Sequence, residues 1–386
     1  MNRWAKQGVA ALGIWALMLT MGCGTFFVYP GNLPGGGTGS TGDYVYVANA
    51  TTSTLAGFSV GTGKLTAVNA SPYALGFVPT AVAVNPANTI VFVAGTNGLF
   101  GFINAYSIGS GGALSLLTSN NVGSAEELAI DVSPDGQWLV GIDATGPLLG
   151  EVLVDEYQIT ASTGQLTLGT GGSYSFPSGT ATITPSGIKF APNGNYVFVA
   201  VGQAGDVEFT FNTSTGTLAN NQRITLGTGV SDNALTVSPN SSYLYIARSG
   251  TGGGVAVYTI GSGGVMTPLN GGTPFAAGSQ PFSVVVNSAG TDVYVANQID
   301  STISGYSVAS NGTLTALSGS PYTSGSQVDA LAVDNSKSYL LAAARNGSAD
   351  LTMYSFDSSV AGKLDFSTSA QSGNDPAGAV AIATTH

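Results

Sequence analysis

The sequence predicts an all-β fold, a seven-bladed β-propeller of four-stranded antiparallel blades, and three observations carry that reading. The hexapeptide Tyr44-Val45-Tyr46-Val47-Ala48-Asn49 alternates its side chains with strand spacing. Anchored on Tyr46, the same slot recurs at Phe92, Val140, Phe198, Tyr245, Tyr294 and Leu341, in steps of 46, 48, 58, 47, 49 and 47 residues. A period in the forties with several strands per copy is the mark of a propeller. The third observation concerns the ends. A strand-like segment precedes every anchor but the first, and the missing one, Pro376-Ala-Gly-Ala-Val-Ala-Ile382, lies just before the C-terminus. The tail is therefore predicted to supply the innermost strand of the first blade, which leaves no open sheet edge.

The chain divides into residues 1–22, 23–42 and 43–386. The first part reads as an export signal, with Arg3 and Lys6 ahead of a short apolar stretch from Gly8 to Met21. That stretch is well short of the ~20 residues a membrane helix needs. It ends in Leu19-Thr20-Met21-Gly22-Cys23-Gly24, which resembles the lipobox of bacterial lipoproteins, with Thr20 where that motif usually has Leu. The resemblance implies acylation of Cys23, membrane contact through a lipid anchor only, and a place in the bacterial cell envelope, periplasmic or on the cell surface. A plain secretory leader with an incidental cysteine, or an uncleaved anchor, is the alternative. Cys23 is the only cysteine, so no disulfide forms within the propeller. Residues 31–42 (GNLPGGGTGSTG) form a Gly-rich tether.

Each repeat has four strokes. A first strand opens near Pro or an acid, as in Pro79–Pro86; the anchor strand follows; a third strand ends near an aromatic, as in Leu55–Val60; a Gly turn leads to a fourth, as in Gly312–Leu317. Gly and Asn supply the positive φ of these hairpins. The blades are predicted at 43–77 with 376–383, then 78–125, 126–180, 181–231, 232–280, 281–327 and 328–375. The third carries about ten extra residues between Gly146 and Pro177, which accounts for the step of 58.

Composition bounds the function. Hydrophobic residues are 43%, ample for a core, while charged residues are only 8%, against about a quarter in ordinary globular proteins. The surface must be built from hydroxyls, amides and Gly turns. The formal charge of −11 becomes −13 once Arg3 and Lys6 are removed (7 cations against 20 anions). No basic cluster exists to meet phosphates, so nucleic acid is excluded as a partner.

With Tyr44–Asn49, Gly312–Tyr322 (GTLTALSGSPY) and Val132–Gly136 (VSPDG) in view, the chain resembles bacterial YVTN and seven-bladed lactonase-type propellers, including 6-phosphogluconolactonase-like proteins. The resemblance covers nearly all of 43–386. It implies either hydrolysis of a sugar lactone or a non-catalytic surface role, and for the enzymes a set of His, Arg and acidic groups near the channel mouth.

Lactone hydrolysis needs an activated water or nucleophile and a donor for the oxyanion. The only histidine is His386, the last residue, and terminal residues are usually mobile. There is no Gly-x-Ser-x-Gly elbow, no His or Cys cluster for zinc and no Asp-x-Asp-x-Asp-Gly loop for calcium. No metal and no cofactor are expected. Propeller topology gathers Glu126, Glu127, Asp143, Asp232, Arg248, Asp329 and Arg345 on one face. One reading is a sugar-acid site: Arg248 and Arg345 hold the anion, and Glu127 or Asp232 is the base. The other, which is favoured, is a set of solvated loop charges paired with each other.

Asp131 and Lys189 share one slot of the innermost strand in neighbouring blades, where other copies have Ala83, Thr236, Val285 and Ala332. A buried inter-blade ion pair is expected; the alternative is Lys189 pointing into the channel as a binding group. The anchor aromatics are expected in the core. The reading these residues support is a monomeric, envelope-anchored propeller that binds or scaffolds at its channel face. Its ligand is a small sugar acid or lactone, or its partner an envelope protein. A lactonase is the alternative and a surface adhesin the second.

Overall fold

The computed structural model describes residues 42–123, 126–180, 182–347, 349–373 and 378–386. The leader, Cys23, the tether up to residue 41 and Pro376 lie outside the described residues.

The chain folds as an all-β propeller of seven blades. Their innermost strands are, for blades 2 to 7, Val78–Val84, Glu127–Val132, Ile183–Phe190, Val230–Val237, Pro281–Val286 and Ser326–Val333. Blade 1 takes Ala379–Thr384 from the tail, followed by Tyr44–Asn49, Thr54–Gly61 and Lys64–Ala67. Every innermost strand touches the next, and the tail strand touches both Ser326–Val333 and Val78–Val84, so the ring is closed. Blades 4 and 5 are joined further by the Gly202–Asp232 pairing.

The closing strand differs in register from the expectation. Ala383 pairs with Tyr46 as Ala83 pairs with Phe92, so the opening slot is Ala379, three residues beyond Pro376. Alignment on a shared proline misplaced it; the cross-strand partner of the anchor is the better ruler. Backbone bonds seal the joint, Thr385 N to Tyr44 O at 3.0 Å and Ala50 N to Gly378 O at 2.9 Å. Asn49 Nδ2 donates to Ser372 O at 3.0 Å, which ties the head to blade 7.

The seven anchors are buried, none above 1% exposed. Their packing explains a recurrent glycine: Tyr46 lies opposite Gly57 and Tyr294 opposite Gly305. A methyl group on Gly57 would meet the Tyr46 ring at 3.1 Å and Val68 at 2.8 Å. Tyr46 Oη donates to Gly112 O at 2.9 Å and Tyr294 Oη to Gly362 O at 2.6 Å, each in a turn of the next blade. A buried tyrosine needs such an acceptor. The extra residues of blade 3 go into a 3-10 turn, Gly146–Leu149, and into a longer version, Gly172–Ser175 on Glu151–Val154, of the short strand that blades 1 and 6 carry at Tyr73–Ala74 and Tyr322–Thr323.

Candidate functional site

Turns between second and third strands, with the entries to the innermost strands, make one end of the propeller, here the upper face. The hexapeptide ends there, and its Asn has a job: Asn297 Oδ1 accepts Gly278 N at 3.0 Å, pinning the loop into the innermost strand. Blade 5 replaces this Asn by Arg248, whose cross-strand partner is Asp232. Arg248 Nε reaches Asp232 Oδ1 at 2.6 Å and Nη2 reaches Oδ2 at 2.7 Å, with both side chains buried. Burial works against the guanidinium charge, and the Asp232 hydrogen bond and field more than restore it. Beside them lies Asp206 of blade 4, buried, with neither oxygen receiving a hydrogen bond among the described residues. Burial, then the charge of Asp232, pushes its carboxyl well above the usual range, which favours its protonated form.

In blade 7, Arg345 donates Nε at 2.7 Å and Nη2 at 2.6 Å to Asp329 Oδ2, and Gln298 Nε2 donates to Oδ1 at 2.5 Å. Asp329 is buried while 44% of the Arg345 side chain stays exposed. In blade 3, Tyr157 Oη donates to Glu127 Oε1 at 2.6 Å and to Asp155 Oδ2 at 3.2 Å. Glu127 is buried, and desolvation, then Asp155, raises its pKa well above the carboxylate range. Next to it Glu126 is half-buried; burial raises its pKa, and its Oε2 is buried without a hydrogen-bond partner among the described residues. Asp143 accepts Thr145 N at 2.6 Å and Thr145 Oγ1 at 2.7 Å.

Two ion pairs form on the upper face, Arg248 with Asp232 and Arg345 with Asp329, while Glu126, Glu127 and Asp143 meet no cation among the described residues; nor are these solvated loop charges throughout, since Glu127, Asp232, Arg248 and Asp329 are buried. The reason is their register, since each sits on a strand end enclosed by the neighbouring blade. Arg248 is occupied on both arms by Asp232, so neither is free as anion binder or base. Glu127, fully buried and bonded to Tyr157, is closed off from a substrate water. Glu126 and the half-open Arg345 are the groups left with unused capacity. The second-to-third-strand turns of blades 2 and 3 on the same face expose Leu99, Phe100, Leu148 and Leu149. A cleft of about 410 Å³ opens between Gly250–Gly253 and Ala277–Pro281, with Asp300 on its wall.

At the lower end, Lys189 Nζ bonds Asp131 Oδ1 at 2.9 Å, and Phe190 N donates to Asp131 Oδ2 at 2.8 Å. The predicted inter-blade pair forms, but it is not buried: the side chains are 48% and 17% exposed, because the slot faces the open channel end. His386 is held there too. Its N donates to Asn88 Oδ1 and its carbonyl accepts Asn88 Nδ2, both at 2.8 Å, and ring Nε2 lies 3.2 Å from Val84 O. The expected terminal mobility is thus checked by three contacts to blade 2. Sequence reasoning also passed over Asp155, Tyr157, Asp206 and Tyr258, whose Oη accepts Arg248 Nη2 at 3.5 Å; the scarcity of charge in this chain was the signal that could have singled out the two acids. Among the described residues no three His, Cys, Asp or Glu side chains gather to hold a metal ion.

A family model described as "Lactonase, 7-bladed beta-propeller" matches residues 129–324 and 248–380. No curated relative matches the chain by sequence. Among solved structures, the periplasmic gluconolactonase PpgL of Pseudomonas aeruginosa is similar at TM-score 0.70 and 14% identity, over 89% of this chain and 99% of that one. A Lactobacillus plantarum protein matches at TM-score 0.73 and 17% identity, over 90% and 100% of the two chains. A Bacteroides uniformis protein, provisionally assigned as a 6-phosphogluconolactonase, matches at TM-score 0.72 and 16% identity, over 89% and 99%. At such identities these likenesses are of fold.

Proposed function

This chain belongs to the lactonase family of seven-bladed β-propellers, and on that premise we propose that it hydrolyses an unphosphorylated sugar lactone on its upper face. The observation that carries the reading is Glu126: an upper-face carboxyl with a raised pKa and a buried oxygen that no donor among the described residues fills. A carboxylate whose pKa has moved toward neutrality is a competent general base for water. Glu126 takes a proton from water as its oxygen attacks the lactone carbonyl carbon. Arg345, charged and half open, meets the oxyanion or a sugar hydroxyl. As the ring C–O bond breaks, the leaving alkoxide recovers the proton from Glu126, and a hydroxy acid is released. Export and a lipid anchor at Cys23 belong to the same proposal; a phosphorylated cytosolic lactone would not meet an envelope protein.

The test is turnover of glucono-δ-lactone, followed by acid release. Glu126→Gln should lower kcat/KM by roughly 10²–10⁴-fold, the usual contribution of a general base. A rate unchanged in that variant would remove the base, and a wild-type rate equal to buffer would remove the activity. A second reading, that this face docks an envelope protein, is favoured by the exposed Leu99, Phe100, Leu148 and Leu149. It predicts that Leu148→Ser with Leu149→Ser abolishes pull-down of a partner while sparing lactone turnover.

A further inference from the structure

Three turns of the upper face meet at the cleft between blades 5 and 6. They are Gly250–Gly253 of blade 5, the loop Ala277–Pro281 that enters blade 6, and the second-to-third-strand turn of blade 6 that carries Asp300. The blade 6 wall is pinned from within: Gly278 N donates to Asn297 Oδ1 at 3.0 Å and Ser279 N to Asp300 Oδ2 at 2.6 Å. A methyl group on Gly278 would meet both of those side chains at 2.7 Å. Gln280 stands beside them in the left-handed region, at φ 58°, a conformation that costs a residue with a side chain and that gathers at ligand sites. Gln298 N holds it there through the Gln280 carbonyl at 3.0 Å. The blade 5 wall is nearly bare: a methyl group on Gly252 would find no atom within 4 Å beyond its chain neighbours.

The polar groups displayed in this way are unused. Asp300 Oδ1, Ser279 Oγ and the Gln280 carboxamide bond no protein atom among the described residues. The cleft holds about 410 Å³, within the ~300–1,000 Å³ of small-ligand sites. One carboxylate and no Lys, Arg or His line it, so an anion would face Asp300 without a countercharge. We propose that the cleft binds a neutral sugar ring, either a free sugar or one unit of a glycan chain. The ring hydroxyls donate to Asp300 Oδ1 in a charge-assisted bond, the strongest this lining offers. Gln280 and Ser279 exchange hydrogen bonds with the other hydroxyls, and Ala277 with Pro281 meets the C–H face of the ring. The glycine wall lets the sugar approach the backbone of blade 5 with no side chain between. This site lies on blades 5 and 6, apart from Glu126 of blade 3 and Arg345 of blade 7, and it does not rest on lactone turnover.

The experiment is calorimetric titration of methyl β-D-glucopyranoside and methyl β-cellobioside into the full-length protein. Neither probe is a lactone, so a protein that binds them without turning over gluconolactone sustains this site while removing the activity proposed above. Saturable binding of either is expected. A disaccharide bound at least about tenfold tighter identifies a glycan chain as the source, and equal affinities a free sugar. Asp300→Asn keeps an oxygen for Ser279 N but offers the sugar a neutral acceptor, and should weaken binding about five- to tenfold. Ser279→Trp fills the cleft and should abolish binding; Asp300→Asn carries the test if that variant fails to fold. Three results would overturn the assignment: no binding of either glycoside, unchanged affinity in Asp300→Asn, or tighter binding of a primary ammonium probe, Nα-acetyl-lysinamide.

Discussion

Glu208 offers a sharp test of how this propeller tolerates buried acids. It sits on the third strand of blade 4, opposite the anchor Phe198, fully buried. Oε2 accepts Asn221 Nδ2 at 2.8 Å, while Oε1 has no partner among the described residues. Burial raises its pKa from 4.5 to about 7, against the opposing Asn221 bond. A raised carboxyl pKa means that the fold keeps a proton the unfolded chain has released. Its stabilisation is complete below about pH 4.5 and is lost as the pH rises through about 7. A shift of about 2.5 units at ~1.36 kcal/mol each is worth about 3 kcal/mol. Glu208→Gln removes the titration. In urea unfolding at pH 4.5 and 7.5, the wild type should lose about 3 kcal/mol more than the variant between the two conditions. Parallel pH profiles would refute the reasoning. Glu156 is the control: it holds the same slot opposite Val140, but both oxygens take backbone N–H groups, from Thr170 and Gly171. Glu156→Gln should therefore destabilise at pH 7.5, by ~1–3 kcal/mol, since one N–H loses its acceptor.

Three further outcomes follow from the same geometry. Tyr46→Phe and Tyr294→Phe should each cost ~1–3 kcal/mol in denaturant, because they strand a buried Gly carbonyl. Tyr245→Phe should be neutral or stabilising, because the Tyr245 hydroxyl has no partner among the described residues. Arg248→Met leaves Asp232 buried without its countercharge and should cost ~3–5 kcal/mol; Arg345→Met leaves the buried Asp329 with Gln298 as donor and should cost less, ~1–3 kcal/mol, and lower lactone turnover as well. Removing residues 378–386 bares the edge of Tyr44–Asn49 and should give self-association in light scattering.

The fold was legible because one slot, the second-strand anchor, must be apolar in every blade, and seven such slots set the period. Asp131 and Lys189 were legible for the same reason: shared phase placed them side by side before any coordinates did. Their exposure was not, since the sequence does not say how far a channel end opens. Nor was the locking of Arg248, which depends on a cross-strand pairing two residues past a bulge between Asp232 and Ala234. The closing strand slipped by three residues because a proline, rather than the anchor's partner, was used to align it. His386 was discounted by position alone, although Asn88 in the first turn of blade 2 holds both its backbone groups.

These particulars bear on how one repeat can serve different chemistry from blade to blade. The slot that closes the hexapeptide holds Asn49, Asp143, Arg248 and Asn297 in blades 1, 3, 5 and 6. Asn there satisfies loop amides and leaves the face neutral. Asp143 and Arg248 instead bring charge: Arg248 holds the buried Asp232 opposite it, while Asp143 stands opposite the buried Glu127 and, with burial and Asp155, raises its pKa. Among the described residues nine acidic side chains are buried, and with so few cations most must be neutralised by a proton or by hydrogen-bond donors. A face built this way carries little net charge at its mouth, which suits a neutral lactone better than an anion.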